Sequence, residues 1–141
     1  MILGIGTDII QVNRFEAWRK YSLKQLLNVF SENEINYCCK NGDLKNVNLE
    51  CLAVRFAAKE ASFKAFSQVL VNLNFTKKTF SFLFFCKNVE IIKGELDVPK
   101  LKVDWKVFEE KVERKFPEFV IHLSLSHEKN IAIAFVVIFE S

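Results

Sequence analysis

Arg55-Phe56-Ala57-Ala58-Lys59-Glu60-Ala61-Ser62-Phe63-Lys64-Ala65-Phe66 reads as helix. Alanines and long side chains fill it, and neither Gly nor Pro interrupts it. Phe56, Phe63 and Phe66 recur at helical spacing and are expected to face a core. The pattern extends the helix from about Leu49 to about Leu70. Glu60 and Lys64 stand one turn apart on one face, which brings a carboxylate and an ammonium together on a rigid rod. By itself that spacing also fits a solvated surface pair contributing about 0.2–0.5 kcal/mol.

A second stretch changes the weight of the first. Ile2 to Ile10 reads as a strand, apolar except for Thr7 and Asp8 in Gly4-Ile5-Gly6-Thr7-Asp8-Ile9-Ile10. An Asp inside such a strand is costly unless it is paired, hydrogen-bonded or bound to a metal. Asp8 either caps a helix starting near Val12 or meets a partner supplied by the rest of the chain.

The chain has 141 residues, half of them hydrophobic, which suits one domain with a real core. Fifteen Phe against two Tyr and two Trp is a skewed aromatic choice, read as compositional bias rather than chemistry. A net charge of +3 is too mild to indicate nucleic acid. No signal peptide is expected at the N-terminus, and the apolar runs Ile2–Ile10 and Ile131–Phe139 are too short to span a bilayer. Cys38, Cys39, Cys51 and Cys86 form no Cys-x-x-Cys pair and no obvious disulfide framework. Free thiols in a reducing cytoplasm are the expectation.

After the first strand, Phe15, Trp18, Ser22 and Leu26 fall on one helical face. Arg14, Arg19, Lys20 and Lys24 lie mostly elsewhere, as a solvated face or a docking surface for an acidic partner. Ser31 followed three residues later by Glu34 is a capping-box start. That helix is expected to end near Lys40, before the turn signal Asn41-Gly42-Asp43, with polar loop at 43–48. Asn72 to Lys78 reads as loop, and Thr79–Phe85 and Asn88–Ile92 as strands before a turn at Lys93-Gly94-Glu95. Leu101, Val103 and Trp105 alternate, while Asp104 alternatively caps a helix through Lys115. From Phe119 to Ser126 the alternation is clean, with Phe119, Ile121, Leu123 and Leu125 on one face. His127-Glu128-Lys129-Asn130 reads as the turn of a hairpin whose second strand, Ile131 to Phe139, is apolar on both faces. In so short a chain, that hints at covering by another subunit.

Gly4-Ile5-Gly6-Thr7-Asp8, Arg55-Phe56-Ala57-Ala58-Lys59-Glu60-Ala61 with Lys64-Ala65, and Leu123-Ser124-Leu125-Ser126-His127 resemble, in order, the three signature blocks of bacterial holo-acyl-carrier-protein synthases. The resemblance runs from one end of the chain to the other. It implies an α+β fold of the 4'-phosphopantetheinyl transferase type: an antiparallel sheet packed on a long helix, one domain over residues 1–141, assembling as a homotrimer with active sites between subunits. It implies transfer of the phosphopantetheine arm of coenzyme A to a serine of apo-acyl carrier protein, with Mg²⁺, in fatty acid biosynthesis. No membrane or nucleic-acid partner is implied. Two stretches depart from the pattern. Phe66-Ser67-Gln68-Val69 stands where the family usually has a glycine-rich turn, and Gly94-Glu95-Leu96-Asp97-Val98-Pro99 where it has Gly-Lys-Pro.

The residue chemistry agrees with the resemblance. Asp8 and Glu60 offer hard oxygens to Mg²⁺, which favours one or two carboxylates plus water and substrate phosphate. Lys64 is expected to reach the phosphates and assist nucleotide departure, and Glu60 to take the proton of the attacking serine. Lys59 projects about 100° away from Glu60 and is the weaker candidate. The resemblance assigns His127 and Ser126 to the nucleotide end and Arg55 to coenzyme A bound mainly by a neighbour, and leaves His122 outside the motif. It gives Arg14, Arg19, Lys20 and Lys24 an acidic carrier protein to meet, Arg14 nearest the metal. A small basic binding module without chemistry is the competing class; it leaves a strand-embedded Asp8 unexplained and lacks a glycine-aromatic RNA signature.

Overall fold

Two glycines decide how the first strand meets the long helix. In the computed structural model, which describes residues 1–39 and 43–141, β1 (Ile2–Gln11) lies against α3 (Leu49–Asn72). A Cβ on Gly6 would stand 1.8 Å from the carbonyl oxygen of Ala61, and one on Gly4 2.1 Å from that of Ala65. Only glycine lets the backbones approach so closely. The helix answers with its own small side chains: Ala57, Ala58, Ala61 and Ala65 are wholly buried. The innermost stripe of α3 is therefore alanine; of the three Phe expected there, Phe66 is buried and Phe56 and Phe63 are partly so.

β1 is an edge strand of a three-stranded antiparallel sheet in the order β1-β5-β4, with β4 spanning Phe119–Glu128 and β5 Ile131–Glu140. An unpaired edge is a liability. Here α3 covers it with side chains one turn apart. Lys64 donates to the Thr7 carbonyl (3.0 Å), Gln68 accepts from the Ile5 N–H (3.0 Å), and Asn72 donates to the Leu3 carbonyl (2.7 Å). Phe66-Ser67-Gln68-Val69 thus stays helical, and the helix continues two residues past Leu70.

Fully buried Lys59 ties α3 to the other side of the molecule. Its ammonium lies 2.7 Å from Glu34 and donates to the carbonyls of Val29 and Cys86. Glu34 belongs to α2 (Glu32–Cys38), where it closes the expected capping box with Ser31 and also accepts from the Ile91 N–H. The phenylalanines form the rest of the core. Phe66 is within aromatic contact of Phe80, Phe85, Trp105, Phe108, Phe116 and Phe119.

Several expectations are corrected. The segment after β1 is a 3-10 helix (Val12–Lys20) followed by the short α1 (Leu23–Leu26), not one α-helix. Asp8 does not cap it: the N–H groups of Val12 and Asn13 go to Asn130 in the β4–β5 turn. Thr79–Phe85 is not a strand. Ser81 caps α4 (Phe82–Asn88), because helical geometry buries Phe85 and Cys86 together. β2 (Val89–Lys93) and β3 (Pro99–Val103) pair as a separate hairpin, and α5 (Trp105–Val112) follows Asp104, whose side chain makes no capping bond. β4 runs through His127 and Glu128, which leaves Lys129-Asn130 as the turn.

α2 ends at Cys38; Lys40 and the Asn41-Gly42 part of the expected turn lie outside the described residues. Cys38 is disulfide-bonded to Cys51 in the first turn of α3, contrary to the expectation of four free thiols: the end of α2 and the start of α3 place their Cα atoms 5.5 Å apart. Cys39 and Cys86 are free and buried. Among the described residues, no helix is long and apolar enough to cross a membrane.

Candidate active site

Alternation along β1 carries Gly4, Gly6 and Asp8 to the face that meets α3. Asp8 sits opposite Ala134 of β5 and is 8% exposed. Its Oδ1 accepts from Lys64, 3.1 Å away, and its buried Oδ2 finds no donor among the described residues. Lys64 therefore bridges Asp8 and the Thr7 carbonyl rather than forming the helical surface pair with Glu60.

Glu60 completes the group. Burial pushes its carboxyl above the usual carboxylate range, and the neighbouring Asp8 carboxylate pushes it further. Lys64 and Arg14 act in the opposite direction. Two acids crowded together, one with a buried oxygen lacking a donor, form a fitting seat for a hard cation. Among the described residues no cluster of three or more His, Cys, Asp or Glu side chains surrounds such a seat.

The basic residues after β1 divide. Exposed Arg14 is close enough for its charge to act on Glu60. Arg19 is engaged structurally: it pairs with Glu16 and donates to the carbonyls of Lys45 and Val47. Lys20 and Lys24 are exposed and in no ion pair among the described residues.

The residues assigned to coenzyme A have other partners. Arg55 is five residues before Glu60, hence about 140° around the helix from it. It donates to the carbonyl and Sγ of Cys51 and lies over the Tyr37 ring, 4.2 Å from its centre, while its buried Nε has no partner among the described residues. Burial pushes its guanidinium below the usual range, and the Glu34 carboxylate partly offsets this. It remains charged.

His127 pairs with Glu50, Nδ1 to Oε1 2.5 Å, at the start of α3. Ser126 and His127 are adjacent in sequence but opposite Ile133 and Ala132, so they project from opposite faces of the sheet. Both border an open groove of about 490 Å³ that also takes in Ile9, Gln11 and Ile133. The structure thus brings Asp8, Glu60 and Lys64 together. Arg55 and His127 contact Cys51, Tyr37 and Glu50 instead. Sequence reasoning missed Glu50, whose only local signal is an acid in the first turn of a helix.

The family model of the 4'-phosphopantetheinyl transferase superfamily matches residues 4–136. The chain is 37% identical over 138 residues to a holo-[acyl-carrier-protein] synthase of Halothermothrix orenii, covering 97% of each chain. It is 36% identical over 139 residues to one of Bacillus cereus, covering 98% of this chain and 96% of the relative. A holo-(acyl-carrier-protein) synthase from Bacillus anthracis, solved in complex with CoA (3',5'-ADP), superposes with a TM-score of 0.67 at 31% identity, covering 100% of this chain and 99% of the other. The chain belongs to the holo-[acyl-carrier-protein] synthase family of enzymes.

Proposed function

We propose that this enzyme moves the 4'-phosphopantetheine arm of coenzyme A onto a serine of apo-acyl carrier protein and releases adenosine 3',5'-bisphosphate, as a single transferase domain over residues 1–141. The names of its relatives and the coenzyme A complex of the Bacillus anthracis enzyme support the substrates. The observation that carries the site is the buried, donorless oxygen of Asp8 beside Glu60. On this reading Asp8 and Glu60 hold Mg²⁺. The bound ion supplies positive charge against the pyrophosphate and the departing nucleotide.

The serine oxygen forms a bond to the phosphorus on the pantetheine side, and the bond between that phosphorus and the bridging oxygen breaks. Glu60, the acid of the pair that Lys64 does not bond, would accept the serine proton. Lys64 spends two of its three N–H groups on Asp8 and Thr7, which leaves one for a phosphate oxygen. Exposed Arg14, Lys20 and Lys24 offer an acidic carrier protein a complementary surface, with Arg19 bracing the segment from below.

A homotrimer follows from the same reading. Ile5, Ile9, Ile133 and Phe135 lie exposed on the sheet face turned away from α3, and Ile9 is 65% exposed. An apolar sheet face of this kind suits burial by further copies. It would also bring one chain's Arg55 toward coenzyme A seated on a neighbour's Asp8 and Glu60. The reading includes a cytoplasmic enzyme serving fatty acid biosynthesis. Its test is incubation with coenzyme A, Mg²⁺ and apo-acyl carrier protein. The carrier protein is expected to gain the mass of the arm. An unchanged mass with folded enzyme overturns the reading.

A further inference from the structure

We infer that Glu50 is a positioning residue for His127: its carboxylate fixes which way the imidazole faces and which ring nitrogen meets the ligand. The inference rests on the proposed transfer reaction, in which His127 serves the nucleotide end of coenzyme A. Two rigid elements meet at this pair. Glu50 is in the first turn of α3, where the Asn48 side chain accepts from the Cys51 N–H and the Asn48 N–H reaches the Cys38 carbonyl. His127 is held by the ladder to Ala132, on the sheet face that meets α3. Nδ1 of His127 lies 2.5 Å from Oε1 of Glu50.

A carboxylate only accepts, so Nδ1 must carry the hydrogen it shares with Glu50. Nε2 is then the one ring nitrogen turned outward to a ligand. Without Glu50 the ring can rotate and exchange tautomers, and the outward nitrogen is no longer defined. Stability is a poor rival explanation. The side chains are 55% and 36% exposed, and an ion pair so open to water adds little to folding.

The test combines ring spectroscopy with a double-mutant cycle on the full-length enzyme. Long-range proton–nitrogen NMR should find the neutral His127 ring protonated on Nδ1 in the wild type, and mixed between the two nitrogens in Glu50→Ala. Glu50→Ala should raise the KM for coenzyme A by about fivefold, the scale of one lost hydrogen bond. Its kcat and its KM for carrier protein should stay within about twofold. Glu50→Gln, which keeps an acceptor, should recover most of the loss, and Glu50→Ala should add nothing to His127→Ala.

A wild-type ring protonated on Nε2 overturns the inference whatever the kinetics, and does so even if the alanine variant fails to fold. Additive effects of the two alanine substitutions, or a silent His127→Ala in an active enzyme, overturn it as well. Failure of the wild type to modify carrier protein is the separate failure of the transfer reading.

Discussion

The ammonium of Lys64 lies 3.1 Å from Asp8 on the neighbouring strand, and it bonds Asp8 rather than Glu60 one turn away on its own helix. One lysine therefore both closes the edge of β1 and neutralises half of the acid pair. That leaves Glu60 as the acid that must keep a proton or find a cation.

Glu60 should make the metal-free protein pH-sensitive. Its folded carboxyl is raised above the ordinary value of 4.5, so the stability linked to it is complete below the unfolded value and is lost as pH rises through the folded one. Thermal unfolding in chelator should fall over that window in the wild type and stay flatter in Glu60→Gln. Added Mg²⁺ should restore only the wild type. Transfer by Glu60→Gln or Asp8→Asn should drop at least about a hundredfold with the fold intact, a loss in the range of general base and electrostatic contributions. Near wild-type Mg²⁺-dependent activity in either variant would remove the residue from the site.

The Glu34–Lys59 pair should be structural. Both side chains are fully buried, and removing one partner strands a charge. Lys59→Met is expected to cost about 3–5 kcal/mol in denaturant unfolding. The double variant Lys59→Met/Glu34→Leu should recover part of that. A loss below about 1 kcal/mol in the single variant would mean that water reaches the pair.

The cysteines should be dispensable for transfer. Burial pushes the Cys86 thiol up to about 12, so it should resist alkylation in the folded protein. Cys38→Ser/Cys51→Ser should keep activity within about twofold of wild type while losing about 2–4 kcal/mol of stability under oxidising conditions. Loss of activity with an unchanged fold and assembly would contradict this.

Shared sites between subunits should allow complementation. Inactive Arg55→Ala and inactive Glu60→Ala chains, unfolded and refolded together, should regain part of the wild-type rate, since mixed assemblies contain sites with both residues intact. A fully active monomer in sedimentation would rule out sharing.

Arg14→Glu should raise the KM for carrier protein and leave that for coenzyme A nearly unchanged. Complementary charge governs encounter more than final affinity. The defect should deepen at low ionic strength, where the new repulsion is less screened. Equal effects on both substrates would tie Arg14 to the nucleotide, which its action on Glu60 makes a real alternative outcome.

Local periodicity determined β1, α3 and the closing hairpin, because a strand or helix that buries one face must repeat apolar residues at its own period. The acids at Asp8 and Glu60 were legible for a related reason: a charge in an apolar strand needs a partner, and an acid on a helix within the same ordered blocks is the candidate. Long-range packing decided the rest. Phe80, Phe82 and Phe84 alternate like a strand, yet Ser81 caps a helix that buries Phe85 and Cys86. Lys64 was on the expected face but took a partner 56 residues away. The Cys38–Cys51 bond, the burial of Lys59 on Glu34 and the meeting of Glu50 with His127 each join residues far apart in sequence or on separate elements. No spacing rule within one element encodes such contacts. They exist only once Gly4 and Gly6 have let β1 settle on Ala61 and Ala65 and the elements have closed around α3.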